Sequence, residues 1–423
     1  MTAVTSARFP IERHTLDNGL RVVLQPDSSL PLVAVNLWYH VGSKNEVPGR
    51  TGLAHLFEHM LFQGSQYVGK NDHFRLVQQV GGVANGSTWF DRTNYYETLP
   101  AHCLSLGLWL ESDRMGFFLP ALDAEKLENQ REVVMNERRQ GVDNQPYGQA
   151  FERLNETLFP SGYPYRWPVI GYMDDIAAVD LEDVEVFFRT FYTPDNAVLT
   201  LAGHFDPDQA LKLVESYFGS IPRGGARPEV VASLPDEPLG QVVTLDDDVQ
   251  LPRVYTAFRL PSFGEPEWYS ADLLSAALSG GKTSPLYRQL VYERQIAQDV
   301  NAFVLPTELA SSFVVVTTGR PDTELAEVEE VVRDTIATVA AGDLGRGDLD
   351  RARNKLVTSY SDQLQALDDR ADLLSMFTSY FDEPQRLESE IDRYLDKTPE
   401  DLATVARNRL TPDKAVSIRV VPR

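Results

Sequence analysis

The chain has 423 residues, with 39 Lys and Arg against 62 Asp and Glu, a formal net charge of −23. With 43% hydrophobic and 24% charged residues it has the composition of a folded protein, which excludes a disordered chain, a collagen and a coiled-coil rod. The length predicts two or three domains, and so acidic a chain argues against a dedicated nucleic-acid binder or a protein docked on anionic lipid.

One cysteine, Cys103, cannot form an intramolecular disulfide, so burial alone holds the fold. It lies in the apolar stretch AHCLSLGLWL, where a lone Cys reads as a small core residue. The N-terminal stretch has no apolar core of a secretion signal, and no run approaches the ~18 apolar residues of a membrane span. The expectation is a cytoplasmic protein without a membrane span.

In chain order, HTLDNGLRVVLQPD predicts strand pairing around the Asn18-Gly19 turn. LVAVNLWYHVGS reads as a further strand. TGLAHLFEHMLFQGS changes to a helical period through Leu53, Leu56 and Met60, with Gly64 as its stop. GGVANGSTWFDRTNYYETLP returns to strand. Two helices follow, CLSLGLWLESDRMGFFL and Asp123–Gln140, and VLTLAGHF is again strand. Beyond a Pro/Gly-rich stretch come strand VYTAFRLP, helices WYSADLLSAALSGG and SPLYRQLVYERQ, strand SSFVVVTTG and several long helices.

A weak repeat divides the chain. TPDNAV at 193–198 returns as TPDKAV at 411–416, an offset of 218, and at the same offset Glu182-Asp183 returns as Glu400-Asp401. The expected organisation is α+β with two related domains, 1–222 and 243–423, joined by a proline- and glycine-rich linker at 223–242.

The segment His55-Leu56-Phe57-Glu58-His59 carries the chemistry. On a helix, residues i and i+4 share a face, so both imidazoles can reach one ion, and Glu58 points beside them. Two histidines and a carboxylate favour zinc and leave a position for water, whose proton a free carboxylate can take. This is the reversed, inverzincin order of the zincin motif. The remaining ligand should be a carboxylate from elsewhere. The helix Asp123–Gln140 offers Glu125, Glu128, Glu132 and Glu137, and periodicity does not choose among them.

With LDNGLRVVL, VGSKNEVPGRTGLAHLFEHMLFQGS, GGVANGSTWFDRTNYYETLP and NQREVVMNE, the chain resembles the pitrilysin-type zinc peptidases, especially the branch of mitochondrial processing peptidases and their bacterial relatives. The resemblance implies a clamshell half of two domains, each a mostly antiparallel sheet packed with helices. It implies zinc-dependent endopeptidase activity with one zinc per chain, held by His55, His59 and Glu137, and Glu58 as general base. Where many relatives carry a further Glu, this chain has Gln130. The resemblance also maps an edge strand that pairs with an extended peptide onto Asn85, Gly86, Ser87 and Thr88, a case of strand addition.

Relatives that cleave peptides usually carry an Arg and a Tyr in the second half. Here those positions hold Val291 and Gln298. Arg288, Tyr287, Tyr292 and Arg294 are nearby but out of register, since one residue turns a helical side chain by about 100°. The expectation is the zinc-bearing subunit of a heterodimer whose related partner supplies the Arg/Tyr pair; a homodimer using Arg294 or Tyr292 is the competing arrangement. The alternative function is a non-catalytic subunit, like the core subunits of respiratory complexes with this fold. GGKTS at 280–284 lacks the phosphate-loop frame, because position 276 is Ala. Asp113 is a candidate for orienting a zinc histidine.

Overall fold

The computed structural model describes residues 9–230, 232–235 and 238–423. Positions 1–8 of the N-terminal stretch and positions 231, 236 and 237 of the expected linker lie outside the described residues.

The first sheet contains β1 (Glu12–Thr15), β2 (Arg21–Pro26), β3 (Leu32–Tyr39), β4 (Val83–Thr88), β5 (Thr93–Pro100) and β6 (Ala197–Gly203). Their order is β1-β2-β6-β3-β5-β4, with β2 and β6 parallel and the other pairs antiparallel. Alternation along β3 separates the faces. Val33, Val35 and Leu37 point into the main core, whereas Ala34 points to the other face. Asn18 and Gly19 turn β1 into β2. Gly19, at φ +92°, has the left-handed conformation that glycine tolerates best.

The second sheet contains β7 (Gln241–Asp247), β8 (Arg253–Leu260), β9 (Ala297–Leu305), β10 (Ser311–Gly319) and β11 (Val416–Pro422). Its order is β7-β11-β8-β10-β9, and again one pair, β7 and β11, is parallel. This is the order of β2 to β6 repeated. The helices Leu181–Phe191 and Pro399–Arg409 sit at the repeated position, and both begin with a capping box, from Asp180 and Thr398. The fold is α+β, with two related, mostly antiparallel sheets packed with helices, as the sequence predicts.

The compact units are not contiguous. The first contains 1–138, 167–231 and 362–389, and the second contains 139–166, 232–361 and 390–423. This departs from a division into 1–222 and 243–423. The helix Leu367–Phe381 buries Leu367 and Ala371 on Ala34 and Ala202 of the first sheet. The helix Ala150–Leu158 belongs with the second sheet, where Phe151 meets Tyr255. The linker also ends earlier than expected, because β7 begins at Gln241. Among the described residues, no helix is long and apolar enough to cross a membrane.

Candidate metal centre

The motif helix is Leu53–Met60. Its Leu53, Leu56, Phe57 and Met60 face the core, and the Phe57 ring lies 5.4 Å from Phe118 and 4.2 Å from Tyr192. Burying a side chain of this size contributes about 1.5–3 kcal/mol, which holds a helix too short to be stable alone. Such packing fixes the opposite stripe, where His55 and His59 stand one turn apart with ring centroids 4.8 Å from each other.

A second helix, Ala124–Arg138, starts where Asp123 accepts a hydrogen bond from the Lys126 amide at 2.8 Å. Its last turn delivers Glu137. The Glu137 Oε2 atom lies 3.5 Å from His59 Nε2 and 3.9 Å from His55 Nε2. One donor atom from each of the three lies within 4.8 Å of the others. Glu125, Glu128 and Glu132 are exposed, and Glu128 pairs with Arg131. Of the four candidate glutamates, Glu137 is the one brought to the imidazoles.

Two of the three charge states, those of His55 and Glu137, suit a cation. Burial and the neighbouring His59 push His55 down to about 4, so its ring is neutral with a free lone pair. Burial also opposes charge on His59, but the hydrogen bond and charge of Glu137 outweigh it and raise His59. The His59 hydrogen bond holds Glu137 below the usual carboxylate range. Gln130 is buried and hydrogen-bonds to His59. Two imidazoles and one carboxylate at this spacing fit a tetrahedral zinc with one open position.

Glu58 is buried beside this group, and burial raises its carboxyl. The Thr88 hydroxyl donates to Glu58 Oε2 at 2.6 Å, which acts against that rise. Thr88 belongs to β4, the edge of the first sheet. A Cβ on Gly86 would stand 3.0 Å from Glu58 Oε1 and 3.1 Å from the Phe62 ring, so glycine lets the strand lie close to the acid. Of the four predicted strand residues, Gly86 and Thr88 meet Glu58. Asn85 and Ser87 point to the other face. Ser87 donates to Asn94 at 2.7 Å, and Asn85 Oδ1 accepts the Gly86 amide at 2.9 Å, which caps one amide of the edge strand. The Thr88–Glu58 bond is not legible in sequence, since strand period says nothing about which acid lies opposite.

Asp113 does not orient a zinc histidine. It accepts from the Ser65 hydroxyl and, at 3.2 Å, from the Tyr67 amide. A second group of donors, His73, Glu97 and Glu111, is buried in the same unit, with one donor atom from each within 4.8 Å of the others. An internal cation, Arg114, already pairs with two of its members. Arg114 lies 3.0 Å from both His73 ring nitrogens and donates to Glu111 at 2.7 Å, with its guanidinium over the Phe62 and Tyr95 rings.

In the second unit, SPLYRQLVYERQ is a short turn, Pro285–Tyr287, followed by a π-helical stretch, Arg288–Glu293. Register arguments based on an α-helix do not apply there. Val291 packs on the core, Gln298 is exposed on β9, Tyr292 is exposed, and Arg294 pairs with Glu327 at 3.7 Å.

Residues 21–164 match the family model described as insulinase (peptidase family M16), and residues 178–356 match the peptidase M16 inactive domain. The chain belongs to the M16 peptidase family, the pitrilysin type. Among its relatives is the zinc protease PqqE of Helicobacter pylori, 27% identical over 417 residues, covering 97% of this M16 chain and 93% of that protein. The mitochondrial-processing peptidase subunit beta of Lentinula edodes is 26% identical over 321 residues, 74% of this chain and 66% of that one. A solved structure of a Helicobacter pylori protease superimposes with a TM-score of 0.92 at 27% identity, covering 98% of this chain and 100% of that one.

Proposed function

We propose that this M16 chain is a zinc-dependent endopeptidase that cleaves extended peptides or unfolded segments. The observation that carries the reading is the convergence of His55, His59 and Glu137 within 4.8 Å, with Glu58 one turn from His55 and braced by Thr88. His55, His59 and Glu137 would hold the zinc. Bound there, zinc supplies a Lewis acid for the scissile carbonyl and makes water a better acid. Glu58 takes a proton from the attacking water and returns it to the departing amine. The backbone of Asn85, Gly86, Ser87 and Thr88 holds the peptide by strand addition, and binding displaces the Asn85 side chain from the Gly86 amide.

The chain works as the zinc-bearing subunit of a heterodimer. Support comes from Val291 and Gln298, which stand where peptide-cleaving relatives carry Arg and Tyr, and from a relative that is itself named as a subunit. Strong cleavage of an unfolded peptide by the isolated chain would sink that part. If a homodimer used Arg294 instead, Arg294→Ala would lose activity.

The deciding experiment is Glu58→Gln. Turnover of an unfolded peptide should fall by about 10²–10⁴-fold, with zinc content unchanged. A variant that cleaves like the parent defeats the assignment, as would a parent that binds zinc but cuts nothing with any partner, which is the behaviour of a non-catalytic subunit.

A further inference from the structure

The three donor side chains come from two helices, so something must set the spacing between those helices. The motif helix starts at Gly52, whose φ of +85° and missing side chain provide no cap of its own. The cap comes from a distance. Glu46, buried, accepts the Gly52 amide at 3.0 Å and the Ala54 amide at 2.8 Å, one with each oxygen. A carboxyl group in this place satisfies two of the orphan amides; burial pushes it well above the usual carboxylate range, and the two amide hydrogen bonds act against that rise.

Gly52 also touches another segment. A Cβ on Gly171 would lie 2.4 Å from the Gly52 backbone, and a Cβ on Gly52 would lie 2.5 Å from the Ile170 carbonyl oxygen. Backbone therefore lies on backbone. On its other side, Gly171 is tied to the glutamate helix, because Arg138 donates to the Gly171 carbonyl at 2.7 Å in a buried contact. Arg138 directly follows Glu137. The same loop is fastened again to the motif segment: Thr51 donates its amide and its hydroxyl to Asp175 at 3.1 and 2.7 Å, and accepts the Tyr172 amide at 3.0 Å.

We infer that residues 170–175 are a spacer that holds the glutamate helix at a fixed distance from the motif helix, with Glu46 and Arg138 as positioning residues for the metal triad. Glu46 fixes the start of the helix that carries both imidazoles, and Arg138 fixes the turn that carries Glu137. Loss of either leaves the donors present but out of register with one another.

The inference rests on the zinc reading and is tested separately from it. The unchanged chain and a His55→Ala control are first titrated with zinc against a chelator. Absence of binding to the unchanged chain defeats the zinc reading itself. Given binding, Glu46→Gln and Arg138→Met are titrated as folded, zinc-free proteins, with folding read from near-ultraviolet circular dichroism. Glu46→Gln turns an amide NH₂ toward a helix amide, and Arg138→Met removes the donor to Gly171. Each should weaken zinc binding by about 10–100-fold, the range seen when groups behind metal ligands are lost. Arg138→Lys, which keeps a donor, should recover part of it. Folded variants that bind zinc within twofold of the parent overturn the inference, as does failure of both to fold, which would leave these residues a role in folding alone.

Discussion

Strand for strand, β2-β6-β3-β5-β4 in the first unit and β7-β11-β8-β10-β9 in the second follow one course, but the helices after their third-named strands carry different cargo. After β3 comes the motif helix with His55, Glu58 and His59, and the same unit buries Glu97, Glu111, Arg114 and His73. After β8 comes Pro266–Ser279, which buries Trp268, Leu273, Leu274, Ala277 and Leu278 and directs Asp272 to the Tyr394 hydroxyl at 2.9 Å. One topology tolerates either filling. The polar filling is the costly one, since each buried charge must be matched, and it sits where the chemistry is expected. The first unit should therefore be the more sensitive to charge removal.

The sharpest test of that asymmetry is Arg114→Met. It leaves Glu111 buried without its ion pair and should cost about 3–5 kcal/mol in urea unfolding. Adding Glu111→Gln should recover much of the loss; a single variant as stable as the parent would mean the cluster bears no strain of charge. Next in size is Glu137→Ala. Losing a direct donor should cost more than the groups behind it do, so zinc affinity should fall by more than about 100-fold, read by chelator competition. Unchanged zinc content would send the ligand role back to Glu132 or Glu128.

What could be read from sequence follows from how local each signal is. His55, Glu58 and His59 sit within one helical turn, so spacing alone places them on one stripe. The repeat at offset 218 was legible because capping boxes and Thr-Pro-Asp turns are short-range chemistry. Glu137 is different: helical period left four glutamates open, and the resemblance chose the one that the structure sets beside the imidazoles. Arg138 carries no signal in the sequence, since it acts through the backbone of Gly171, 33 residues on, and Glu46 carries none because it caps the motif helix from outside the usual cap position, six and eight residues before the amides it accepts. The same holds for Leu367–Phe381. Its burial against the first sheet depends on Ala34 and Ala202 leaving room, and no linker composition announces it.

On the second-unit side of the comparison, burial pushes the Asp272 carboxyl up to about 6, with the Tyr394 hydroxyl acting against the rise. A carboxyl that is about 3.8 in the unfolded chain and about 6 when folded holds its proton more tightly in the fold. Its contribution is therefore full below about pH 4 and lost as pH rises through about 6. Asp272→Asn keeps an acceptor for Tyr394 without the charge. It should raise stability at pH 7.5 by about 2 kcal/mol and leave little difference at pH 4. A variant no more stable at pH 7.5 than the parent would show that water reaches Asp272 freely.

The smallest effect concerns the first unit again, at Thr88. Its hydroxyl donates to the Glu58 carboxylate and so favours the ionised form, in opposition to burial. A general base must be ionised to accept a proton. Thr88→Val removes the donor and raises Glu58 further, so the acid limb of the kcat/KM profile should move to higher pH. Near neutral pH the loss should be about tenfold, the equivalent of one charge-assisted hydrogen bond, and it should shrink as pH rises past the shifted limb. A loss that is the same at every pH would mean that Thr88 acts by holding the strand in place rather than by tuning Glu58. The two are separable because strand binding should change KM, whereas a base left protonated should lower kcat.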